Sequence, residues 1–143
     1  MKFVIVDTVV WSTALRKKKL TAEEQKLIDY LKFLIREQYV MMLGAIRQEI
    51  LCGISDYPKF EKLRDGLEAF SDFEIEENDY VTAADFYNKC RSKGIQGSMT
   101  DFLICAVAAN HNFSILSVDK DFENYKKIID IDLVKKETWL NHA

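Results

Sequence analysis

The sequence predicts an α/β fold in which a mostly parallel sheet is covered by helices on both faces. Three observations carry that prediction. Short apolar runs with β-branched residues alternate with longer segments of helical periodicity, the pattern of βαβ units. The 143-residue chain is near the commonest single-domain length, and its 48% hydrophobic content is enough for one substantial core. No repeat, linker or low-complexity segment divides it, and Pro58 is its only proline. A single domain over residues 1–143 is expected. Parallel sheets bind ligands at the carboxyl ends of their strands, so chemistry is sought along that edge.

Lys2–Val6 is apolar, partly β-branched and stops at Asp7, as a buried strand does. Thr21, with Glu24 three residues on, gives a capping-box signal. Behind it Leu27, Ile28, Leu31, Leu34 and Ile35 share one helical face up to Arg36. Tyr39–Leu43 reads as a second strand and Ala45–Cys52 as a helix stopped by Gly53. Tyr57–Phe70 and Tyr80–Arg91 read as amphipathic helices on either side of a short strand, Phe73–Ile75. Ser98 opens a strongly apolar helix, Phe102–Ala109, followed by the strand Ser114–Val118. A last strand, Ile131–Val134, leads to a terminal helix or tail.

Net charge is −3, from 20 Lys and Arg against 23 Asp and Glu. Alone, that balance argues against a nucleic-acid partner, whose backbone attracts positive surface. The objection weakens if many acids are gathered in one site. The basic runs Arg16-Lys17-Lys18-Lys19, Lys126-Lys127 and Lys135-Lys136 read most simply as solvated helix ends or loops. Cys52, Cys90 and Cys105 are odd in number and form no CxxC pair, which fits free buried thiols in a reducing compartment better than disulfides or zinc. Of the two histidines, His142 sits in the C-terminal tail, and His111 follows an apolar helix and reads as a cap or loop residue. No stretch approaches the roughly 20 apolar residues of a membrane span, and the N-terminus reaches Asp7 too soon for a secretory signal. A cytoplasmic protein with no membrane partner is expected.

Four acidic sites stand out by position. Asp7 directly ends the first strand, Glu49 lies within the helix after the second, Asp101 begins the apolar helix, and Asp119 follows the strand Ser114–Val118 with Asp121 two residues later. Each has a plain structural role open to it. Ser98-x-x-Asp101 matches a capping box, Asp119 and Asp121 could start a turn, and Glu49 could face solvent. Their conjunction says more. Two carboxylates about 4 Å apart repel by roughly 4 kcal/mol at an effective dielectric of 20, so such a cluster needs protons or a cation. Oxygen ligands without Cys or His suit magnesium or manganese. Bound magnesium lowers the pKa of a coordinated water and stabilises phosphodiester cleavage.

At these residues the sequence resembles a PIN domain, of the kind found in VapC toxins of toxin–antitoxin pairs. Val4-Ile5-Val6-Asp7-Thr8-Val9-Val10-Trp11-Ser12 is similar to the family's opening strand ending in Asp-Thr-Ser. Arg47-Gln48-Glu49-Ile50-Leu51, Thr100-Asp101-Phe102-Leu103-Ile104-Cys105-Ala106-Val107-Ala108 and Leu116-Ser117-Val118-Asp119-Lys120-Asp121-Phe122 resemble its later motifs, in order. The resemblance implies a three-layer α/β/α sandwich and endonucleolytic RNA cleavage. It implies magnesium held by Asp7, Glu49, Asp101 and Asp119; by its position Asp121 is expected as an outer or second-metal ligand, and manganese would suit the same oxygens. It also implies an antitoxin partner and a homodimer built through apolar helix faces near the start and middle of the chain. Val9 stands where the family often has Ser or Asn, so Thr8 is expected to supply the missing hydrogen bond. Ser117 replaces the usual Thr and keeps the hydroxyl.

Other readings fit less well. A receiver-like signalling domain wants an acidic pair after its first strand, and a dehalogenase-like phosphatase wants Asp-x-Asp, but Asp7-Thr8-Val9 offers neither. A nucleotide-binding module wants a Gly-rich loop, and Thr8–Ala14 has no glycine. A non-catalytic α/β binding module remains the alternative of another class. It would tolerate loss of the acids.

Overall fold

A computed structural model describes residues 1–142. Four parallel strands, β1 (Val4–Val6), β2 (Val40–Met41), β3 (Ser114–Leu116) and β4 (Asp132–Leu133), form one sheet in the order β2-β1-β3-β4. The central pair is in register as Val4↔Ser114, Ile5↔Ile115 and Val6↔Leu116. All six of these residues are buried, because both faces of a parallel sheet are covered and no inside–outside alternation is needed.

Helices α1 (Thr8–Arg16), α2 (Ala22–Arg36), α3 (Gly44–Leu51) and α4 (Tyr57–Leu67) precede the segment around Asp72. Then come α5 (Glu77–Ser92), α6 (Met99–His111), α7 (Asp121–Lys126) and α8 (Lys136–Leu140). The helices pack around this sheet, α1 against α2 and α3, α2 against α8, α3 against α4, and α5 against α6. The core lies between, with Leu27, Leu31 and Leu34 of α2, Ile46 and Ile50 of α3, and Phe102, Ile104 and Val107 of α6 packed onto Ile5, Ile115 and Leu116. No described helix is long and apolar enough to cross a membrane.

Local signals explain most boundaries. Thr21 and Glu24 form the expected reciprocal cap of α2. Gly53 after α3 has φ +87°, a backbone that favours glycine. Three readings need correction. The segment Thr8–Arg16, assigned to no element from sequence, is a helix: Asp7 caps it, and the burial of Val10 and Trp11 overrides the poor helix propensity of Thr8, Val9 and Val10. The expected strand Phe73–Ile75 shrinks to one bridge, Met42↔Asp72. Arg47 is the cause, since its guanidinium donates to the Leu67 carbonyl (2.9 Å), to the Phe70 carbonyl and to Asp72 (3.0 Å), fixing the approach to that segment as a loop. Cys90 and Cys105 are buried free thiols as expected, but Cys52 is exposed.

α5 starts three residues before the periodicity predicts. Buried Asp79 accepts the Glu76 N–H (2.9 Å) and also binds Asn110 Nδ2 (2.9 Å) and His111 Nε2 (3.0 Å), tying α5 to the end of α6. His111 is the last residue of α6 and not the cap or loop residue expected, since Asn112 is the C-cap, and it partners an acid that no sequence motif marked. Burial pushes the Asp79 carboxyl up, yet the donors from Asn110, Glu76 and His111 outweigh it and hold it below the usual carboxylate range.

Candidate active site

β1 and β3 are parallel neighbours, so their carboxyl ends open onto the same edge of the sheet. Asp7 leaves β1 there, and its N–H donates to the Leu116 carbonyl at the end of β3 (2.9 Å). The Ser117–Asp119 loop follows beside it. α6 precedes β3 and runs back against the strands, which puts its first turn, and Asp101, at that edge. α3 supplies Glu49. Four elements thus bring Asp7, Glu49, Asp101 and Asp119 to the lining of one open cleft of about 530 Å³, together with Thr8, Val9, Ser12, Arg16 and Cys52. Asp121 stands just outside that lining. One carboxylate oxygen from each of Asp101, Asp119 and Asp121 lies within 4.8 Å of the others.

Each of the four acids lining the cleft is held by a hydroxyl or an amide. Asp7 accepts from the Thr8 N–H and from Ser117 Oγ, both at 2.8 Å. The same Ser117 Oγ accepts the Asp119 N–H (3.0 Å), so one hydroxyl links two of the acids. Thr8 Oγ1 donates to Glu49 at 2.6 Å, the contact expected of it in place of Val9. Ser98 caps α6 through the Asp101 N–H (3.0 Å), and the Asp101 carboxylate accepts from the Tyr125 hydroxyl at 2.6 Å. Asp119 Oδ1 accepts the Asp121 N–H (3.0 Å) and starts the turn into α7, so its plain structural role is real and leaves the second oxygen to the cleft.

No lysine or arginine among the described residues pairs with any of these five acids. The electrostatic consequence is visible at Asp7, which is only 4% exposed. Burial raises its pKa to about 6, Asp101 and Asp119 push the same way, and the Ser117 and Thr8 hydrogen bonds resist. Asp101 is raised too, by burial and by Asp119 and Glu49, against the Tyr125 and Ser98 contacts. Cys105, beneath the cluster, is pushed up by burial and by Asp101.

The sequence reading singled out all five acids and missed Tyr125. Its hydroxyl reaches Asp101 because Gly97 leaves room: a Cβ there would meet the Tyr125 hydroxyl and ring carbon and the Phe102 ring. The only sequence sign is an aromatic residue on the buried face of α7, which reads as core. Ser12, Arg16 and Cys52 also border the cleft, although no role there was assigned to them from the sequence.

A family model described as PIN domain matches residues 4–128. Among solved structures, FitAcB from Neisseria gonorrhoeae shares the fold with a TM-score of 0.73 at 19% identity, over 93% of this chain and 97% of that one. VapBC2 from Rickettsia felis, bound to a DNA fragment from their promoter, gives 0.73 at 15% identity over 92% and 96%. FitAB bound to an IR36 DNA fragment gives 0.69 at 19% identity over 98% and 96%. No curated protein is a detectable relative in sequence.

Proposed function

This chain belongs to the PIN-domain family, and from that premise we propose that it is a magnesium-dependent endoribonuclease, the toxin of a toxin–antitoxin pair. One observation carries the reading. Four carboxylates from four elements line one open cleft, and no cationic side chain of the described residues pairs with them. A fold that keeps such charges together without protein partners is built for a cation. The donors are all oxygens, which suits magnesium or manganese. One oxygen from each of Asp101, Asp119 and Asp121 lies within 4.8 Å of the others, close enough for a cation to gather them.

Asp7, Glu49, Asp101 and Asp119 would hold the ion, with Asp121 beside them. Bound there, it would make a water nucleophilic and neutralise charge developing on the phosphate. The chain's own groups do the positioning. Ser117 spaces Asp7 from Asp119, Tyr125 fixes Asp101, and Thr8 occupies one Glu49 oxygen. That contact leaves the second Glu49 oxygen free to face the cleft, where it would serve as a ligand.

The test is incubation of the purified chain with a panel of transfer and ribosomal RNAs, with magnesium or with EDTA. Cleavage is expected only with magnesium, and Asp7→Asn should abolish it. An Asp7→Asn protein that cuts at the wild-type rate would sink the assignment. No cutting of any RNA by the wild type would favour a non-catalytic binding module.

Two partners belong to this reading. An antitoxin would neutralise the cleft with an inserted Arg or Lys, the bidentate guanidinium being well matched to paired carboxylates. A second copy of this chain would cover exposed Tyr80, Val81 and Met99, which flank an apolar groove lined by Ala83, Tyr87 and Leu103 between α5 and α6. The fold shared with FitAcB and VapBC2 supports both.

A further inference from the structure

We propose that Arg16, with the Ser12 hydroxyl one turn before it, binds a backbone phosphate of the RNA strand flanking the one that is cut. The proposal rests on the ribonuclease reading above and adds the substrate track to it. Thr8, Ser12 and Arg16 follow one another at four-residue steps along α1, so they form a single stripe. Val10 and Trp11 are buried. The stripe begins at the acids, where Thr8 holds Glu49, and all three of its residues line the acidic cleft. A second shallow groove, about 360 Å³, shares Thr8, Val9, Ser12 and Arg16 with the first and runs on to Thr13 and Lys17. An open path therefore leads from the carboxylates along α1 to the basic run Arg16–Lys19.

The hydrogen bonds along this path identify which groups are available. Thr13 Oγ1 is spent on the Val9 carbonyl (2.9 Å), and Lys17 is tied to Glu24 at 2.5 Å. Among the described residues Ser12 and Arg16 have no such partner, although Arg16 borders a cleft with four carboxylates. A guanidinium that stays unpaired beside acids has its fork of donors open for a phosphate. Thr8 and Arg16 are eight residues apart, about 12 Å along the helix, so the phosphate on Arg16 is a neighbour of the one at the acids. Such a contact also answers the charge balance. The acids repel a polyanion, and the cation at the far end of the stripe draws the strand in along α1. The competing plain role is a basic residue at a helix C-terminus, favourable to the helix dipole but indifferent to RNA.

The experiment measures binding of a short mixed-sequence single-stranded RNA by fluorescence anisotropy over a range of salt, in the Asp7→Asn background. Adding Arg16→Ala should weaken binding about tenfold and make the slope of log affinity against log salt shallower by about 0.7, the share of one lost phosphate contact. Arg16→Lys should keep the slope and lose only part of the affinity, and Ser12→Ala should lose less at unchanged slope. If Arg16→Ala leaves affinity and slope unchanged while lowering the melting temperature, the dipole role stands and the proposal falls, with the nuclease reading intact. If the Asp7→Asn protein binds no RNA and the wild type cuts none, both readings fall together.

Discussion

At Asp7, burial and two neighbouring carboxylates act against two hydrogen bonds, and burial wins, holding the pKa at about 6. The consequence for stability has a definite sign. A carboxyl whose pKa is higher folded than unfolded favours the fold most where both states carry the proton, and progressively less as the unfolded and then the folded carboxyl ionises. Its contribution is whole below about pH 4 and is lost as the pH rises through about 6. In EDTA, the wild type should therefore lose roughly 2–3 kcal/mol on this account across that window, and Asp7→Asn should not. Asparagine also serves as a helix N-cap, so the start of α1 is preserved. Urea melts at pH 4 and pH 7 check this. An Asp7→Asn protein that is about 1 kcal/mol less stable at pH 7 would mark Asp7 as a cap and no more.

The meeting of α6 and α7 decides how Asp101 points. α6 presents Asp101 in its first turn, α7 presents Tyr125 on its buried face, and Gly97 before α6 admits the phenol between them. Two substitutions separate the parts. Tyr125→Phe keeps the ring packed on Phe102 and Phe122 but removes the 2.6 Å donor. It should cost about 1.5–3 kcal/mol, the range for a hydrogen bond to a charged group, and weaken magnesium binding. Gly97→Ala should do more damage, because its Cβ would overlap Tyr125 and Phe102 and push the phenol off Asp101. Denaturant melts with and without magnesium measure both. Equal stability of Tyr125→Phe and wild type in EDTA and in magnesium would show that Tyr125 is packing alone.

The whole molecule gathers four carboxylates, without a cationic partner among the described residues, in one cleft at the edge of the sheet, and a partner that neutralises this edge should control it. Co-expression with the product of the neighbouring gene is expected to give a stable complex in which RNA cleavage is suppressed. Replacing the partner's inserted Arg or Lys should restore cutting without dissolving the complex. A tight complex with full activity would reject inhibition through the cleft.

The amino-acid sequence by itself determined the α/β class, the succession of apolar strands, the helix starts at Thr21 and Ser98, and the five acids that gather at one edge. These are local properties: periodicity reports which face is buried, and a residue just after a strand sits at the sheet's edge wherever that strand lies. The tertiary structure alone decided that Thr8–Arg16 is a helix, since its β-branched start is overruled by the burial of Val10 and Trp11. It alone decided that Phe73–Ile75 is not a strand, since Arg47 holds the loop leading into it. It also chose the group that holds each acid. Thr8 and Glu49 are 41 residues apart, Asp7 and Ser117 are 110 apart, and Asp101 and Tyr125 are 24 apart. No periodicity reaches across such intervals. Those hydrogen bonds exist because α1 packs against α3, β1 pairs with β3 and Phe102 of α6 meets Tyr125 of α7, and only the folded chain brings them within 3 Å.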